Sequence, residues 1–392
     1  MNNFSRRQFL LASSSIALAG LPLSSSRAGP ASADKLLVMV YLKGGSDAYN
    51  TLVPFTNPRY YKFRPNIALQ RENLIHINEQ QGLHPNLAPI LPMLQDKQLA
   101  ILQGIGQENI TNQHFRDAET LFTASAPDEY LDTGWVTRAR LANRTQIKQN
   151  LDALAFGDLD IRDADPMGPF RGEQLGVINM VYPNEWLSRR KVVDTAYLTT
   201  QKSAGAAMTF QLATPMALKT KFPSDDFGQA LQATVELAAA GLAPPVVHIT
   251  LNAADGDQHH AFDTHWDQLK YHGPVLTRLA NGLAAFRQGM QEINKWDDTL
   301  LFTYDEFGRS PKENDKQGTH HGWAGVHFVA GGKVKGGLIG EPMPVVDVFQ
   351  IDGPPPTTDT RALYTTVIES WWGGNANGVF QRRFKPIDLL RS

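Results

Sequence analysis

The chain has 392 residues, of which 42% are hydrophobic and 19% charged, and its formal net charge is −2. This composition is that of an ordinary globular protein, and it gives no electrostatic basis for binding nucleic acid. Cysteine is absent, which excludes disulfides, thiolate zinc sites, cysteine nucleophiles and iron–sulfur clusters. The length allows one large domain or two average ones.

The N-terminus predicts export. Residues Ser5–Leu10 read SRRQFL, the form of a twin-arginine signal, and an apolar stretch follows to Leu23. That stretch is too short and too diluted by small residues to span a bilayer, so a cleaved signal is favoured over a membrane anchor. Cleavage is expected after Ala28 or Ala33. We therefore expect the twin-arginine export machinery as a partner, a periplasmic or secreted location and no stable membrane anchor.

The first predicted strand of the mature chain ends beside a candidate site residue. Residues Lys35–Leu42 form an apolar run of buried-strand length, and the sequence KGGSD follows. The glycines allow a tight turn and a close approach to a ligand. Asp47 therefore lies just past the strand, either as a site carboxylate or as an ordinary turn residue.

A second buried strand is predicted at Gln98–Ile105, and it leads through a polar turn to a helix that starts within Thr111–His114 and runs through Phe122. A helix start offers free N–H groups and the positive end of a dipole, which suit a nucleophile or an anion. Thr111 supplies a hydroxyl in this turn. His114 is as well suited to capping or packing as to binding.

Other segments complete the predicted architecture. Helices are expected at Leu83–Leu94 and Phe227–Leu242, whereas residues 57–81 look irregular with short strands. Residues 128–223 read as an insertion in a single α/β domain that spans 34–392. Strands that alternate with helices predict a mainly parallel sheet covered on both faces.

The densest pattern of site residues lies in the stretch Val246–Gly332. Seven of the eleven histidines lie between His248 and His321. Three short apolar runs within the stretch have the composition of buried strands, and two of them lead directly into Asp, Glu and His. These runs are Val246–Leu251, Thr299–Tyr304 and Gly325–Ala330.

Asp263 and His265 follow the first of these strands, and in extended backbone their side chains would share one face and one metal ion. Asp305 and Glu306 directly follow the second strand. The histidine ligand stays open among His259, His260, His320 and His321. Oxygen and imidazole ligands without thiolate suit Zn²⁺, Mn²⁺ or Fe, so one or two divalent ions, Zn or Mn first, are expected. The alternative is a set of exposed loop, capping or ion-pair residues.

Several motifs together resemble the exported family known as domain of unknown function 1501, which is grouped with the alkaline phosphatase and sulfatase superfamily. They are GGSDAYNTLVP at 44–54, LHPNLAPI at 83–90, DTHWDQ at 263–268, EFGRSP at 306–311 and HHGW at 320–323. The resemblance implies an alkaline-phosphatase-like three-layer sandwich, with a large, mostly parallel mixed sheet between helices. It also implies a one- or two-metal site at the carboxyl ends of the strands.

The resemblance also assigns roles to individual residues. The implied metal ligands are Asp47, Asp263, His265, Asp305 or Glu306, and His321. Gln113 stands where such relatives often carry Ser, so Thr111 is the nearest hydroxyl, and Glu306 stands in place of an expected imidazole.

Together with these patterns, the resemblance implies an exported metal-dependent hydrolase of phosphate or sulfate esters, with a small anionic ester or a glycan as substrate. Thr111, His114 and Arg309 are the candidate catalytic residues. Thr111 or a metal-bound water would attack, and Arg309 would clamp an oxyanion with two nitrogens. The alternative is a non-catalytic exported protein that keeps the fold to bind an anionic ligand or a partner protein.

Overall fold

The computed structural model describes residues 35–143, 152–157, 168–172, 175, 177–180, 217–252, 261–347 and 354–391. The predicted signal peptide with its cleavage sites, His259, His260 and much of the predicted insertion at 128–223 lie outside the described residues. Within the described part, no helix is both long enough and apolar enough to cross a membrane.

Fourteen strands occur among the described residues, and nine of them form one central sheet. Their bounds are β1 Leu36–Leu42, β2 Leu52–Val53, β3 Ile75–His76, β4 Gly82–Leu83, β5 Leu99–Gly106, β6 Ala153–Phe156, β7 Val177–Met180, β8 Val246–Leu251, β9 Thr299–Tyr304, β10 Gly308–Glu313, β11 Thr319–Gly322, β12 Ala324–Ala330, β13 Gly337–Ile339 and β14 Thr358–Asp359. The central sheet has the order β13-β5-β12-β9-β1-β8-β6-β7, with β14 beside β5. Strands β2, β3 and β4 form a small separate sheet, and β10 pairs with β11 as a hairpin.

The direction of the strands places several ends at one edge of the sheet. Strands β9, β1, β8, β6 and β7 are parallel neighbours, while β12 is antiparallel to both β5 and β9. Strand β5 therefore runs in the same sense as β9. The carboxyl ends of β1, β5, β8 and β9 and the beginning of β12 consequently share one edge, which is where α/β proteins place their sites.

Helices cover both faces of the sheet. Along β1, Leu36, Val38 and Val40 pack into one hydrophobic core, while Leu37 and Met39 pack into the other, as the twofold period of a strand requires. The helices are α1 Ala48–Thr51, α2 Pro58–Phe63, α3 Leu91–Gln95, α4 His114–Thr123, α5 Trp135–Ala142, α6 Asp226–Ala239, α7 Gln268–Glu292 and α8 Thr360–Thr365. Helices α6 and α7 pack on the first face and α4, α5 and α8 on the second. The predicted three-layer α/β fold with a mostly parallel mixed sheet is confirmed.

Two local predictions differ from the structure. Residues 57–81, predicted to be irregular, contain α2, because the Asn57 side chain caps Arg59 N and Pro58 takes the first helical position. The predicted helix Leu83–Leu94 is a 3₁₀ helix at Pro85–Ile90 followed by the short α3. Three prolines in this segment remove N–H donors that a continuous α-helix needs.

Candidate metal centre

Four side chains from separate elements meet at this edge of the sheet. His114 begins α4 after β5, Asp263 and His265 lie between β8 and α7, and His321 belongs to β11 just before β12. Each offers one ligand atom, and these atoms all lie within 4.8 Å of one another. We call this group the histidine cluster.

Asp263 lies at the centre of the histidine cluster. Its Oδ1 is 3.0 Å from Nε2 of His265, 3.4 Å from Nε2 of His114 and 3.6 Å from Nε2 of His321. The Nε2 atoms of His265 and His321 are 3.0 Å apart. The four side chains are 13% to 32% exposed, so a small molecule can reach them from solvent.

Hydrogen bonds at the far side of two rings fix which nitrogen faces the cluster. His321 Nδ1 donates to the Asn112 carbonyl oxygen at 2.8 Å, and His114 Nδ1 donates to Glu306 Oε1 at 2.7 Å. Both partners only accept, so each neutral ring presents a bare Nε2 lone pair to the centre. The buried Nε2 of His114 lies 3.4 Å from Asp263 Oδ1. A divalent metal ion fits this donor set, because metal-bound histidines are oriented in this way by their second nitrogen.

The protonation states of Asp263 and His114 are set by the groups that surround them. Burial raises the pKa of Asp263, but hydrogen bonds from the cluster histidines and the charge of Arg309 bring it well below its usual range. Burial lowers the pKa of His114, but its hydrogen bonds to Asp263 and Glu306 outweigh burial and raise the pKa to about 9. In the metal-free protein a proton on His114 therefore compensates the two carboxylates at neutral pH.

Arg309 is directed into the protein. Its Nη2 donates to Asp263 Oδ1 and the Gly44 carbonyl, and its Nε donates to the Gly45 carbonyl at 2.9 Å. The side chain is completely buried. The prediction that Arg309 clamps a substrate oxyanion with two nitrogens disagrees with this placement, because Nε and Nη2 are already engaged within the chain. Its place instead is to hold Asp263 ionised and in position.

Asp47 lies outside the histidine cluster. Its carboxylate accepts hydrogen bonds from Arg64 Nη1 at 2.5 Å, Arg64 Nη2 at 2.9 Å, Tyr49 N at 3.2 Å and the Gln268 amide. A carboxylate has about four lone-pair directions, and all are used here. Burial raises the pKa of Asp47, but Arg64 outweighs burial and lowers it. The expected metal role of Asp47 therefore does not fit its surroundings.

Asp305 and Glu306 have different positions. Asp305 accepts from Ser46 N at 2.8 Å and from His327 Nε2 at 3.1 Å, and burial raises the pKa of its carboxyl. Glu306 Oε1 accepts from Gly44 N at 3.0 Å as well as from His114. Glu306 thus supports the cluster from behind His114, whereas Asp305 forms a separate buried pair. His327 was missed because one histidine inside an apolar strand looks like a core residue.

Thr111 is used in a capping turn. Its backbone N–H and its hydroxyl donate to Asp117 Oδ1 at 2.7 Å and 2.9 Å, and Gln113 N donates to Asp117 Oδ2 at 3.1 Å. These bonds satisfy the N–H groups ahead of α4. Among the described residues, no hydrogen bond joins Thr111 to the histidine cluster.

The β10–β11 hairpin delivers two site residues side by side, which sequence reasoning did not foresee. Arg309 and His321 are cross-strand partners in it. The turn also holds the neighbouring segment, since Asn314 Nδ2 donates to the His265 carbonyl at 2.9 Å. His320 is exposed, and its ring lies 6.4 Å from the ring of His265 without joining the four ligand atoms of the cluster. The Asn, Asp and Gly residues of the stretch 313–318 are the turn signal that would have found the hairpin.

The sequence model of the family described as "Protein of unknown function (DUF1501)" matches residues 183–348. This match confirms the resemblance drawn from the motifs, and it covers three of the four cluster residues. No curated protein matches the chain at a significant level.

Solved structures with similar folds include three proteins. The lipoteichoic acid synthase LtaP from Listeria monocytogenes has 12% identity and a TM-score of 0.42, over 88% of this chain and 73% of that one. The phosphonate monoester hydrolase SpPMH from Silicibacter pomeroyi has 12% identity and a TM-score of 0.40, over 87% and 74%. The PsFucS1 sulfatase from Pseudoalteromonas sp. has 8% identity and a TM-score of 0.41, over 91% and 71%. These TM-scores are too low to transfer an activity or a site residue to this chain.

Proposed function

We propose that this protein is an exported hydrolase of phosphate or sulfate esters that depends on one divalent transition metal. The observation that carries the proposal is the histidine cluster itself. Three imidazoles and one carboxylate from separate elements bring their ligand atoms within 4.8 Å of one another. The cluster is partly open to solvent at the edge of the sheet, where a substrate can approach.

The donor set favours Zn²⁺ or Mn²⁺. Three nitrogen donors and one oxygen donor without thiolate are typical of these ions, whereas Mg²⁺ and Ca²⁺ prefer oxygen. One ion per chain is proposed rather than two. The other carboxylates at this edge are already paired: Asp47 with Arg64, Asp305 with His327 and Glu306 with His114.

A bound divalent ion would act as a Lewis acid and lower the pKa of a water molecule. The chain's own residues prepare the centre for an anion. The positive charge of Arg309 offsets the negative charge of Asp263. The negative charge of Glu306 offsets only half of the double positive charge of the metal ion, so the metal-loaded centre carries a net positive charge. Glu306 also keeps the proton of His114 on Nδ1. Water is the favoured nucleophile, because the Thr111 hydroxyl is committed to Asp117.

A non-catalytic role is the second candidate. It is favoured by the lack, among the described residues, of a hydroxyl hydrogen-bonded to the cluster, and by the internal pairing of Asp47 and Asp305. In that case the positive centre would bind an anionic ligand, such as a charged glycan, without turnover.

The test is metal analysis and turnover on protein purified from the periplasm. The proposal expects one equivalent of Zn or Mn per chain and hydrolysis of nitrophenyl phosphate or nitrophenyl sulfate. Asp263→Asn should remove both the metal and the turnover, while Asp388→Asn, an exposed carboxylate remote from the cluster, should remove neither. A loaded but inert wild type supports the binding role, and a wild type that takes up no metal refutes both.

Export is tested separately. Arg6→Lys combined with Arg7→Lys should leave the chain in the cytoplasm with its signal uncleaved, because the export pathway requires the arginine pair. Normal appearance of this variant in the periplasm would contradict the twin-arginine assignment. N-terminal sequencing of the exported wild type would distinguish cleavage after Ala28 from cleavage after Ala33.

A further inference from the structure

We infer that the buried amide of Gln268 is a positioning residue for the histidine cluster, an inference that rests on the proposed metal site. Gln268 is the first residue of α7 and is completely buried. None of its side-chain hydrogen bonds goes to a ligand of the cluster. Its side chain has three hydrogen-bond partners, Thr264, Thr319 and Asp47. Thr264 and Thr319 lie in the two segments that carry Asp263, His265 and His321. Asp47 is linked through Arg64 to the segment that carries Arg309.

The oxygen of the amide joins two of these segments. Gln268 Oε1 accepts from the Thr264 hydroxyl at 3.1 Å and from the Thr319 hydroxyl at 3.1 Å. Thr264 lies between Asp263 and His265 in the chain, and Thr319 lies two residues before His321. The two segments are also joined directly, since Thr319 N donates to the Thr264 carbonyl at 3.0 Å. The amide oxygen therefore fixes the spacing between the ligands that each segment carries.

The nitrogen of the amide reaches the third segment through Asp47. Gln268 Nε2 donates to Asp47 Oδ2, and the same carboxylate is held by Arg64. Arg64 Nη2 donates to the Ser310 carbonyl at 2.7 Å and its Nε to the Pro311 carbonyl at 2.8 Å. These carbonyls directly follow Arg309, whose guanidinium holds Asp263. The position of Asp263 thus depends on the Gln268 amide in two ways: through the neighbouring Thr264, and through Asp47, Arg64 and the segment that carries Arg309.

Glutamine is suited to this place for a chemical reason. Asp47 can only accept, so the amide nitrogen must face it and the amide oxygen must face the two hydroxyls. A glutamate would set a second buried carboxylate against Asp47. A methionine has a similar shape but neither bonds the hydroxyls nor donates to Asp47.

The experiment compares Gln268→Met with Gln103→Met. Gln103 is a matched control because it is also buried, at 4% exposure, and both ends of its amide are engaged, by Gln81 at 3.0 Å and by the Gly340 carbonyl at 3.0 Å. Zn²⁺ and Mn²⁺ affinities are measured by competition with a chromophoric chelator. We expect Gln268→Met to bind about 10-fold to 100-fold more weakly, the size of effect known for outer-shell partners of metal ligands. Gln103→Met should keep the wild-type affinity even if it loses stability.

A second readout separates this inference from the proposed function. Backbone hydrogen exchange of residues 261–272 and 314–324 is followed in the metal-free proteins, where Gln268→Met should accelerate exchange in both segments and Gln103→Met in neither. If the wild type binds no metal, the proposed function fails and exchange alone decides whether Gln268 joins the segments. Wild-type affinity in Gln268→Met, or equal weakening in both variants, would overturn the inference. Should Gln268→Met not fold, Thr264→Val removes one contact and is expected to give a smaller weakening of the same kind.

Discussion

Two aspartates near one edge of the sheet look alike in the sequence and differ in the structure. Asp47 and Asp263 both follow the region of a buried strand, and both lie in motifs on which the resemblance to the family was based, GGSDAYNTLVP and DTHWDQ. Asp47 is completely buried with every lone pair used by Arg64, Tyr49 and Gln268, whereas Asp263 is 30% exposed and faces three imidazole nitrogens. The comparison shows that a carboxylate at a strand end is available to a ligand only if the protein leaves its lone pairs unfilled.

The difference follows from one arginine. Arg64 has five N–H donors, and all five are used by Asp47, Asn50 and the carbonyls of Ser310 and Pro311. The counterpart at Asp263, Arg309, gives the carboxylate only one nitrogen, so space remains on Asp263 for a cation. Arg64 thus forms a structural ion pair with Asp47 that leaves no lone pair for a ligand, whereas Arg309 leaves Asp263 able to bind one.

The largest expected effect comes from breaking the closed pair. Arg64→Met leaves Asp47 buried without its cation, which we expect to lower the free energy of unfolding by about 3–5 kcal/mol, as for other broken buried ion pairs. Urea unfolding of the metal-free protein measures it. Arg382→Met is the control, because Arg382 is 59% exposed in its pair with Glu108 and exposed pairs contribute about 0–1 kcal/mol. Equal stability of the two variants would refute the contrast between the closed and the open aspartate.

The layers of the fold could be predicted from the sequence because they depend on local patterns. The apolar runs at β8 and β9 were bounded to the residue, since a strand buried on both faces must be apolar throughout. Helix α2 was missed because its start depends on a capping side chain rather than on hydrophobic periodicity. The segment Pro85–Ile90 was predicted as part of an α-helix, but its prolines favour a 3₁₀ helix. Strand β12 lies antiparallel between β5 and β9, and this pairing could not be predicted because it depends on contacts between residues that are distant in the sequence.

The site could be predicted only in part for the same reason. Asp263, His265 and His321 stood out by their residue type behind strands, and the structure brings them together with His114. No local pattern could show that Asp47 belongs to Arg64 or Asp305 to His327, because these partners are 17 and 22 residues away in the chain. The inward direction of Arg309 depends likewise on its bonds to the carbonyls of Gly44 and Gly45.

An intermediate effect is expected from the support behind His114. In the metal-free protein the pKa of His114 is about 9, because Asp263 and Glu306 outweigh the effect of burial. Glu306→Gln removes one of these carboxylates, so the pKa should fall toward its ordinary value of about 6.5. NMR titration of the His114 ring measures it. Glu119→Gln is the control, because Glu119 lies on the same helix but pairs with Arg116 and Arg171.

The same proton sets the pH dependence of metal binding. A metal ion must displace the proton from His114, so affinity should rise with pH and level off near pH 9, where that proton is lost. The raised pKa also stabilises the metal-free fold below the unfolded pKa of about 6.5, and this contribution is lost as pH rises through about 9. In Glu306→Gln both transitions should occur at lower pH. A metal affinity that is independent of pH would contradict the place of His114 among the ligands.

The smallest effect is expected at the turn before α4, where the sequence suggested a nucleophile. Thr111→Val removes the hydroxyl that donates to Asp117 at 2.9 Å, and a partly exposed bond of this kind contributes about 0.5–1.5 kcal/mol. Metal affinity and turnover of the nitrophenyl esters should stay at the wild-type level, because the structure puts this hydroxyl in the cap rather than at Asp263. Ser125→Ala, which removes a hydroxyl bonded to Thr123 at 3.0 Å at the other end of α4, provides the matched stability loss. The contrary result would be a Thr111→Val variant that keeps its metal and its fold but loses turnover, while Ser125→Ala keeps turnover. In that case Thr111 rather than water attacks the substrate, and the turn must rearrange to release the Thr111 hydroxyl from Asp117.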